Sequence, residues 1–208
     1  MPQAPYRIET DRLVLRCWNP QDAPRLREAI DESDSHLRPW MPWMDHEPRS
    51  IGEVARTLQR FRSDFDRDRD FVYAILDRTE ENVLGSSALH PRVRSGGMEI
   101  GYWIRSSDTR RGLATEAAGA LVRIGFEHLG LDRIEIHVEP SNLASIGVPR
   151  RLGFTREAVL RRRLEMPGGH RGDAEIWTLF YSEHHERPAA EISMRAFDAA
   201  GLALASPR

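Results

Sequence analysis

Between residues 98 and 139 the sequence changes period twice. Met98–Ile104 (MEIGYWI) reads as a strand. Leu113–Leu129 then carries Ala117, Ala118, Leu121, Val122, Phe126 and Leu129 as one apolar stripe at helical spacing. Arg133–Glu139 alternates strictly, with Ile134, Ile136 and Val138 on one face and Glu135, His137 and Glu139 on the other. Strand, helix and strand in that order, within about forty residues, form a crossover unit that demands a parallel strand pair.

The rest of the chain fits antiparallel strands and helices around that unit. IETDRLVLR (8–16) puts Leu13 and Leu15 on one face of a first strand and Val14 on the other. Asn19-Pro20-Gln21-Asp22 is a helix start, with an N-cap and a proline at the first helical position, leading to a helix ending near Ile30. Residues 36–48 are irregular, since Trp40 and Trp43 stand between prolines. Ser50-Ile51-Gly52-Glu53 is a capping box, followed by Val54, Leu58, Phe61 and Phe65 at helical spacing. Phe71–Leu76 and Val83–Leu89 are strands joined by DRTEEN. A short helix at 143–152 precedes strands near 154–164 and 174–180, which flank PGGHRGD. The predicted class is α/β (mixed α+β): a mostly antiparallel sheet of about seven strands with about four helices. One domain is expected over residues 1–186. Residues 187–208 read as a C-terminal tail, partly helical or disordered.

Composition narrows the chemistry. All 30 basic residues are Arg. Without Lys the chain cannot be an ordinary P-loop NTPase, a protein kinase or a pyridoxal-phosphate enzyme, so any anion must be held by Arg forks, backbone amides or helix ends. A net charge of −2 argues against broad nucleic-acid binding. No apolar run is long enough to span a membrane, no secretory pattern opens the sequence, and Cys17 is the lone cysteine, so a cytoplasmic location is expected. There is no HExxH pair, no cysteine-rich metal set and no GxSxG elbow, so no metal is expected.

Thr109-Arg110-Arg111-Gly112-Leu113-Ala114-Thr115-Glu116-Ala117 joins the first strand of the crossover to its helix. A diphosphate at such a junction meets unpaired amides at the positive end of the helix dipole. Gly112 and Ala114 let it approach, and Arg110 and Arg111 add charge. The same residues also read as a helix start that happens to contain glycine and arginine.

TRRGLATEA resembles the diphosphate-binding motif of the GNAT superfamily of acyltransferases. Asn142-Leu-Ala-Ser145, running on to Leu152-Gly153-Phe154, resembles the Asn-x-x-Ser and Leu-Gly-Phe pattern of its RimJ/RimL-like branch, which acetylates ribosomal-protein N-termini. TDRLVLR and HRGDAEIWTL resemble that branch too, and the likeness keeps its order from about residue 8 to 183. Two positions depart from the pattern: Thr109 stands where Gln or Arg is preferred, and Gly147 and Pro149 lie within the short helix.

The resemblance implies a GNAT fold splayed between its fourth and fifth strands, 98–104 and 133–139. Acetyl-CoA (coenzyme A) would be the cosubstrate and a primary amine, on a protein N-terminus or a small molecule, the acceptor. A homodimer is compatible with the family. Backbone groups at Tyr102, Trp103 and Ile104 would pair with the pantetheine arm, with Gly101 marking a bulge. Arg110, Arg111, Gly112, Leu113, Ala114 and Thr115 would hold the diphosphate, and Asn142 would bond pantetheine or simply cap its helix. Glu99 is the first candidate for general base, with His137 and Glu139 behind it. Ser145 would give a proton to the leaving thiolate, or be a solvated helix serine. Trp40 and Trp43, with His137, would line the acceptor side, or the tryptophans pack as a small separate core; His170, Arg171 and Asp173 of the late hairpin would face the acceptor too. Two further readings are a CoA-binding module without turnover and a transferase using succinyl-CoA.

Overall fold

The computed structural model describes residues 4–93 and 96–205. In chain order the elements are β1 (Arg7–Thr10), β2 (Val14–Cys17), α1 (Ala23–Glu32), α2 (Asp34–Leu37), α3 (Ile51–Phe65), β3 (Phe71–Leu76), β4 (Val83–His90), β5 (Gly97–Ile104), α4 (Leu113–Arg123), β6 (Arg133–Val138), α5 (Leu143–Leu152), β7 (Thr155–Glu165), β8 (Arg171–Phe180), α6 (Tyr181–His184) and β9 (Met194–Phe197). The strands form one sheet in the order β7-β8-β6-β5-β4-β3-β2-β1-β9. β5 and β6, the strands of the crossover, pair in parallel, and the other neighbours are antiparallel.

Among the described residues there are nine strands rather than about seven, for two reasons. The stretch 8–16 breaks at residues 11–13, where the Thr10 amide donates to the Leu13 carbonyl at 2.9 Å and closes a hairpin. The tail after 187, expected to be partly helical or disordered, makes one 3-10 turn at Pro188–Glu191 and then an extended strand, β9, paired with β1. On the way Ile192 lies against α4 at Gly119, where a Cβ would stand 2.6 Å from it, and its carbonyl accepts from Arg123 at 2.8 Å. The helix expected over 113–129 is α-helical to Arg123 and then widens over residues 124–128, with the Leu129 amide reaching back five residues to Ile124.

Alternation along the strands builds two cores. On one face Leu13, Leu15, Tyr73, Ile75, Leu89, Ile100, Ile134 and Ile136 pack with Leu121 of α4 and Leu152 of α5. On the other, Val14, Val72, Ala74, Leu76 and Ala88 pack with Leu26 and Ile30 of α1 and Val54 and Leu58 of α3. The predicted capping box of α3 is present, the Ser50 hydroxyl accepting from the Glu53 amide and the Glu53 carboxylate from the Ser50 amide.

Asp22 sits at the joint between β2 and α1 with 1% of its surface exposed. Its carboxylate takes two bonds from Arg16, each at 2.8 Å, one from Arg25, and one from the Asn19 amide at 2.9 Å. Burial would raise its pKa, but these donors outweigh burial and hold it below the usual carboxylate range. The pairing therefore stabilises the fold fully above about pH 4 and loses its effect as the pH falls through the lowered folded value. Asp22→Asn is expected to cost about 1–3 kcal/mol at neutral pH, because it removes the charge-assisted bonds to Arg16 and Arg25 while Arg16 keeps Glu80 at 2.9 Å. In urea titrations the gap between variant and parent should narrow below about pH 4.

Candidate active site

β5 and β6 are joined only at their beginnings. Cα partners run Gly97↔Arg133, Met98↔Ile134 and Glu99↔Glu135, and there the pairing ends. β5 stays with β4 as far as Gly85↔Ile104, while β6 stays with β8 as far as Val138↔Glu175. A wedge therefore opens toward the C-terminal ends of both strands, and the backbone of residues 100–104 faces it without a partner strand on that side. The bulge expected at Gly101 is absent: the β4–β5 register runs unshifted from Gly85↔Ile104 to His90↔Glu99. The divergence comes instead from each strand following its outer neighbour.

The turn after β5 enters α4 at this open end. Arg110 and Gly112 both have left-handed backbone, with φ of 61° and 78°. Glycine suits the second of these, which is the N-cap of α4, since it lacks the Cβ that makes this conformation costly. Among the described residues, no acceptor is bonded to the amides of residues 110–115, so α4 presents its unpaired N–H groups and its positive dipole end to solvent. Leu113 is buried in the core, so only its amide can serve a ligand, whereas the side chains of Arg110 and Arg111 are exposed. The Thr109 hydroxyl donates to the Ser106 carbonyl at 3.0 Å. Beside the turn lies a groove of about 400 Å³ lined by Arg12, Gly112, Thr115, Arg151 and Ile192, among others.

On the α4–α5 face, Tyr102 reaches across the wedge to α5. Its hydroxyl lies 3.0 Å from both the carbonyl and the Oγ of Ser145. Burial pushes the phenol well above its ordinary pKa, so it stays protonated. Asn142 caps α5, its Oδ1 accepting from the Ser145 amide at 3.1 Å. Its Nδ2 carries no bond among the described residues.

The opposite face holds the candidate bases. Glu99 and Glu135 stand side by side in register, and His137 lies between them, Nε2 2.7 Å from Glu135 and Nδ1 3.6 Å from Glu99. Burial would raise the Glu135 carboxyl, but bonds from His137 and Arg133 hold it below the usual range. Glu139 is turned away into a turn, accepting from the Ser141 amide at 2.7 Å. Trp43 packs on the α1–α3 core and meets Trp103 with ring centroids 6.2 Å apart; Trp40 is half-buried and belongs to neither core. The Asp45 carboxylate accepts from the Gly168 amide at 2.6 Å, tying this aromatic loop to the β7–β8 hairpin. In that hairpin Asp173 accepts from the Arg162 amide at 2.9 Å.

Three pairs at the site escape sequence reasoning. His90 is oriented by Asp70, Nδ1 to Oδ1 at 2.7 Å, and its Nε2 would stand 3.4 Å from a Cβ at Gly101. The Tyr102 hydroxyl joins Ser145, although only the backbone of Tyr102 was expected to matter. Glu116, buried in the first turn of α4, accepts from the Thr10 hydroxyl, from the Arg12 amide at 3.0 Å and from the Arg12 guanidinium, which also donates to the Arg111 carbonyl at 2.8 Å. This clamp fixes the turn against the β1–β2 hairpin. Glu116→Gln is expected to lower stability by about 1–3 kcal/mol, and to speed amide hydrogen exchange in residues 109–113 several-fold.

Known proteins are similar to this chain in sequence and in fold. The model of the acetyltransferase (GNAT) domain matches residues 12–155. The uncharacterized N-acetyltransferase YoaA of Bacillus subtilis is 32% identical over 162 residues, 77% of this chain and 89% of the relative. The ribosomal protein uS5-alanine N-acetyltransferase of Escherichia coli is 28% identical over 164 residues, 78% of this chain and 84% of the relative. In fold, RimJ of Mycobacterium smegmatis, solved with CoA-disulfide, superposes with a TM-score of 0.78 at 24% identity over 91% of this chain and 92% of that one. With a wedge-split sheet, a helix start rich in free amides and a family match across two thirds of its length, the chain belongs to the acetyltransferase (GNAT) domain family.

Proposed function

We propose that the protein transfers an acetyl group from acetyl-CoA to a primary amine, on a protein N-terminus or a small molecule, by direct attack within a ternary complex. The observation that carries this reading is the coincidence of two openings at one end of the sheet: the wedge beyond Glu99 and Glu135, and the free amides of residues 110–115. The residues fit the donor. Amides at a helix start with Arg110 and Arg111 beside them match a diphosphate, and the unpaired backbone of β5 matches an amide-bearing arm. Asn142 offers its free Nδ2 to that arm. The thioester supplies an activated carbonyl and a good leaving group.

The chain's own groups divide the proton work between the two faces of the sheet. Glu99, on the face shared with Trp103, accepts a proton from the ammonium of the acceptor, directly or through water. His137 and Glu135 hold the neighbouring charge in place. A backbone amide at Tyr102 or Trp103 polarises the carbonyl. Ser145, approaching from the α5 side, gives a proton to the departing thiolate. Trp40 and Trp43 form the acceptor wall, and the relative named for uS5 acetylation supports a protein N-terminus as acceptor. Cys17 is buried and free, which accords with work in the cytoplasm.

One observation favours the alternative of a CoA-binding module without turnover: the Thr109 hydroxyl is committed to Ser106 and unavailable to a phosphate. Thiol release from acetyl-CoA with a panel of amines separates the two, since a module binds CoA in calorimetry but releases no thiol.

Glu99→Gln is expected to lower kcat about 100-fold near neutral pH. The deficit should shrink as the pH rises, because the acceptor then loses its proton unaided. An unchanged pH–rate profile removes Glu99 from the reaction. Ser145→Ala is expected to lower kcat about tenfold with little change in KM for acetyl-CoA, and equal turnover would exclude it as the proton donor.

A further inference from the structure

α5 contains a proline where a helix can least accommodate one. Pro149 lies at the seventh position of the helix and is buried, yet the helix continues to Leu152 and closes on Gly153 in left-handed conformation. In an α-helix the carbonyl of residue 145 is paired by the amide of residue 149. Proline has no amide hydrogen, so the Ser145 carbonyl loses its ordinary donor, and it does so in a part-buried place where an unpaired carbonyl is costly.

The missing donor arrives from another element. The Tyr102 hydroxyl, 43 residues away on β5, donates to that same carbonyl at 3.0 Å and lies 3.0 Å from the Ser145 hydroxyl. A phenol has one hydrogen to give. With it directed to the carbonyl, the Ser145 hydroxyl rests with its own hydrogen on the phenol oxygen, which fixes Oγ at the wedge, and a turn about the Cβ–Oγ bond brings that same hydrogen to the thiolate. We propose that the Tyr102 phenol stands in for the helical hydrogen bond that Pro149 cannot donate, and by doing so holds Ser145 in place as the proton donor at the strand gap. The functional half rests on the reading of Ser145 given above; the structural half does not. Tyr102 is a positioning residue, acting through Ser145. Burial raises its pKa and keeps the phenol protonated, so it stays a hydrogen-bond donor throughout the working range of the protein. The arrangement also links β5 to α5 across the wedge, so the acid side of the site is set by the strand that lies along the donor's path.

The test is a three-residue set made in the full chain. Tyr102→Phe removes the donor with minimal loss of packing. Pro149→Ala restores the backbone amide and supplies the carbonyl from within the helix. If the proposal holds, Tyr102→Phe lowers the thermal midpoint by several degrees, and adding Pro149→Ala recovers most of that drop. Amide hydrogen exchange of residues 146–152 should follow the same pattern. With acetyl-CoA and an alanine-terminated peptide, Tyr102→Phe should lower kcat about fivefold to tenfold with KM for acetyl-CoA within twofold. Tyr102→Phe/Pro149→Ala should come back to within about threefold of the parent, and Tyr102→Phe should cost nothing further in a Ser145→Ala background. A Tyr102→Phe loss of stability that Pro149→Ala fails to restore overturns the proposal. So does a Tyr102→Phe protein as stable as the parent. Should the parent release no thiol from acetyl-CoA with the peptide or with a panel of small amines, or should Ser145→Ala turn over normally, the reading of Ser145 fails, while the stability cycle still decides whether the phenol replaces the proline's missing bond.

Discussion

A strand in the middle of a sheet ordinarily spends its backbone groups on two neighbours, and here β5 is denied one of them for most of its length. Its parallel pairing with β6 lasts three residues, from Gly97 to Glu99, and then the two strands follow different partners. Unpaired amides and carbonyls are expensive when buried, so a wedge of this kind persists only where water or a ligand completes it. The crossover makes the wedge functional. Because α4 begins directly after β5, its free N–H groups stand at the wide end of the gap, and both features can serve one long anionic molecule with an amide-bearing arm.

The wedge also separates two chemistries. Side chains alternate along β5, so Glu99 and Trp103 face one layer and Tyr102 the other. β6 repeats the pattern, with Glu135 and His137 on the side of Glu99 and aliphatic residues on the side of α4. Acid groups thus gather on the face walled by the Trp43–Trp103 pair, where a cationic amine would be attracted, and hydroxyls gather on the face of α5. An acceptor and a leaving thiolate could then be served from opposite sides without competing for the same side chain.

Local periodicity carried the crossover, the capping box and the faces of the central strands, because each depends on residues close in sequence. What it could not carry were contacts made over long separations. Nothing near Asp11 announces that the first strand breaks there; the break is enforced by Glu116, 106 residues beyond Thr10, which accepts from the turn that the break creates. The tail keeps one helical turn at Pro188–Glu191, but beyond it the open edge of β1 offers ladder bonds and Met194–Phe197 extends. The wide turn at 124–128 lies inside a stripe that reads as ordinary helix. At the candidate site, the placement of Glu99 on the strand beside the gap, of Ser145 and Asn142 at the start of α5 and of the turn 110–115 before α4 followed from pattern and resemblance. His90 with Asp70 was not, since a histidine at a strand end has no local mark of the carboxylate that orients it.

The absence of lysine finds its counterpart in how this fold treats buried acids. Asp22, Glu47 and Glu116 are each almost wholly enclosed, and each is held by arginine: Asp22 by Arg16 and Arg25, Glu47 by Arg27 and Arg49, Glu116 by Arg12. A lysine ammonium could neutralise these charges, but it presents a point, while the guanidinium presents a planar fork that meets both carboxylate oxygens and still has donors for a carbonyl nearby. Arg16 meets both oxygens of Asp22, and the Arg12 guanidinium bonds one oxygen of Glu116 and the Arg111 carbonyl at once. Arg27 and Glu47 do the same for the loop that carries Trp40 and Trp43. The two loops that frame the wedge, the turn into α4 and the loop that carries Trp40 and Trp43, are therefore anchored by the same device: a buried carboxylate read by an arginine from a neighbouring element. Replacing such an arginine by lysine keeps the charge and loses the second contact, so the geometry of the loop, rather than the net charge of the fold, is what the arginine secures.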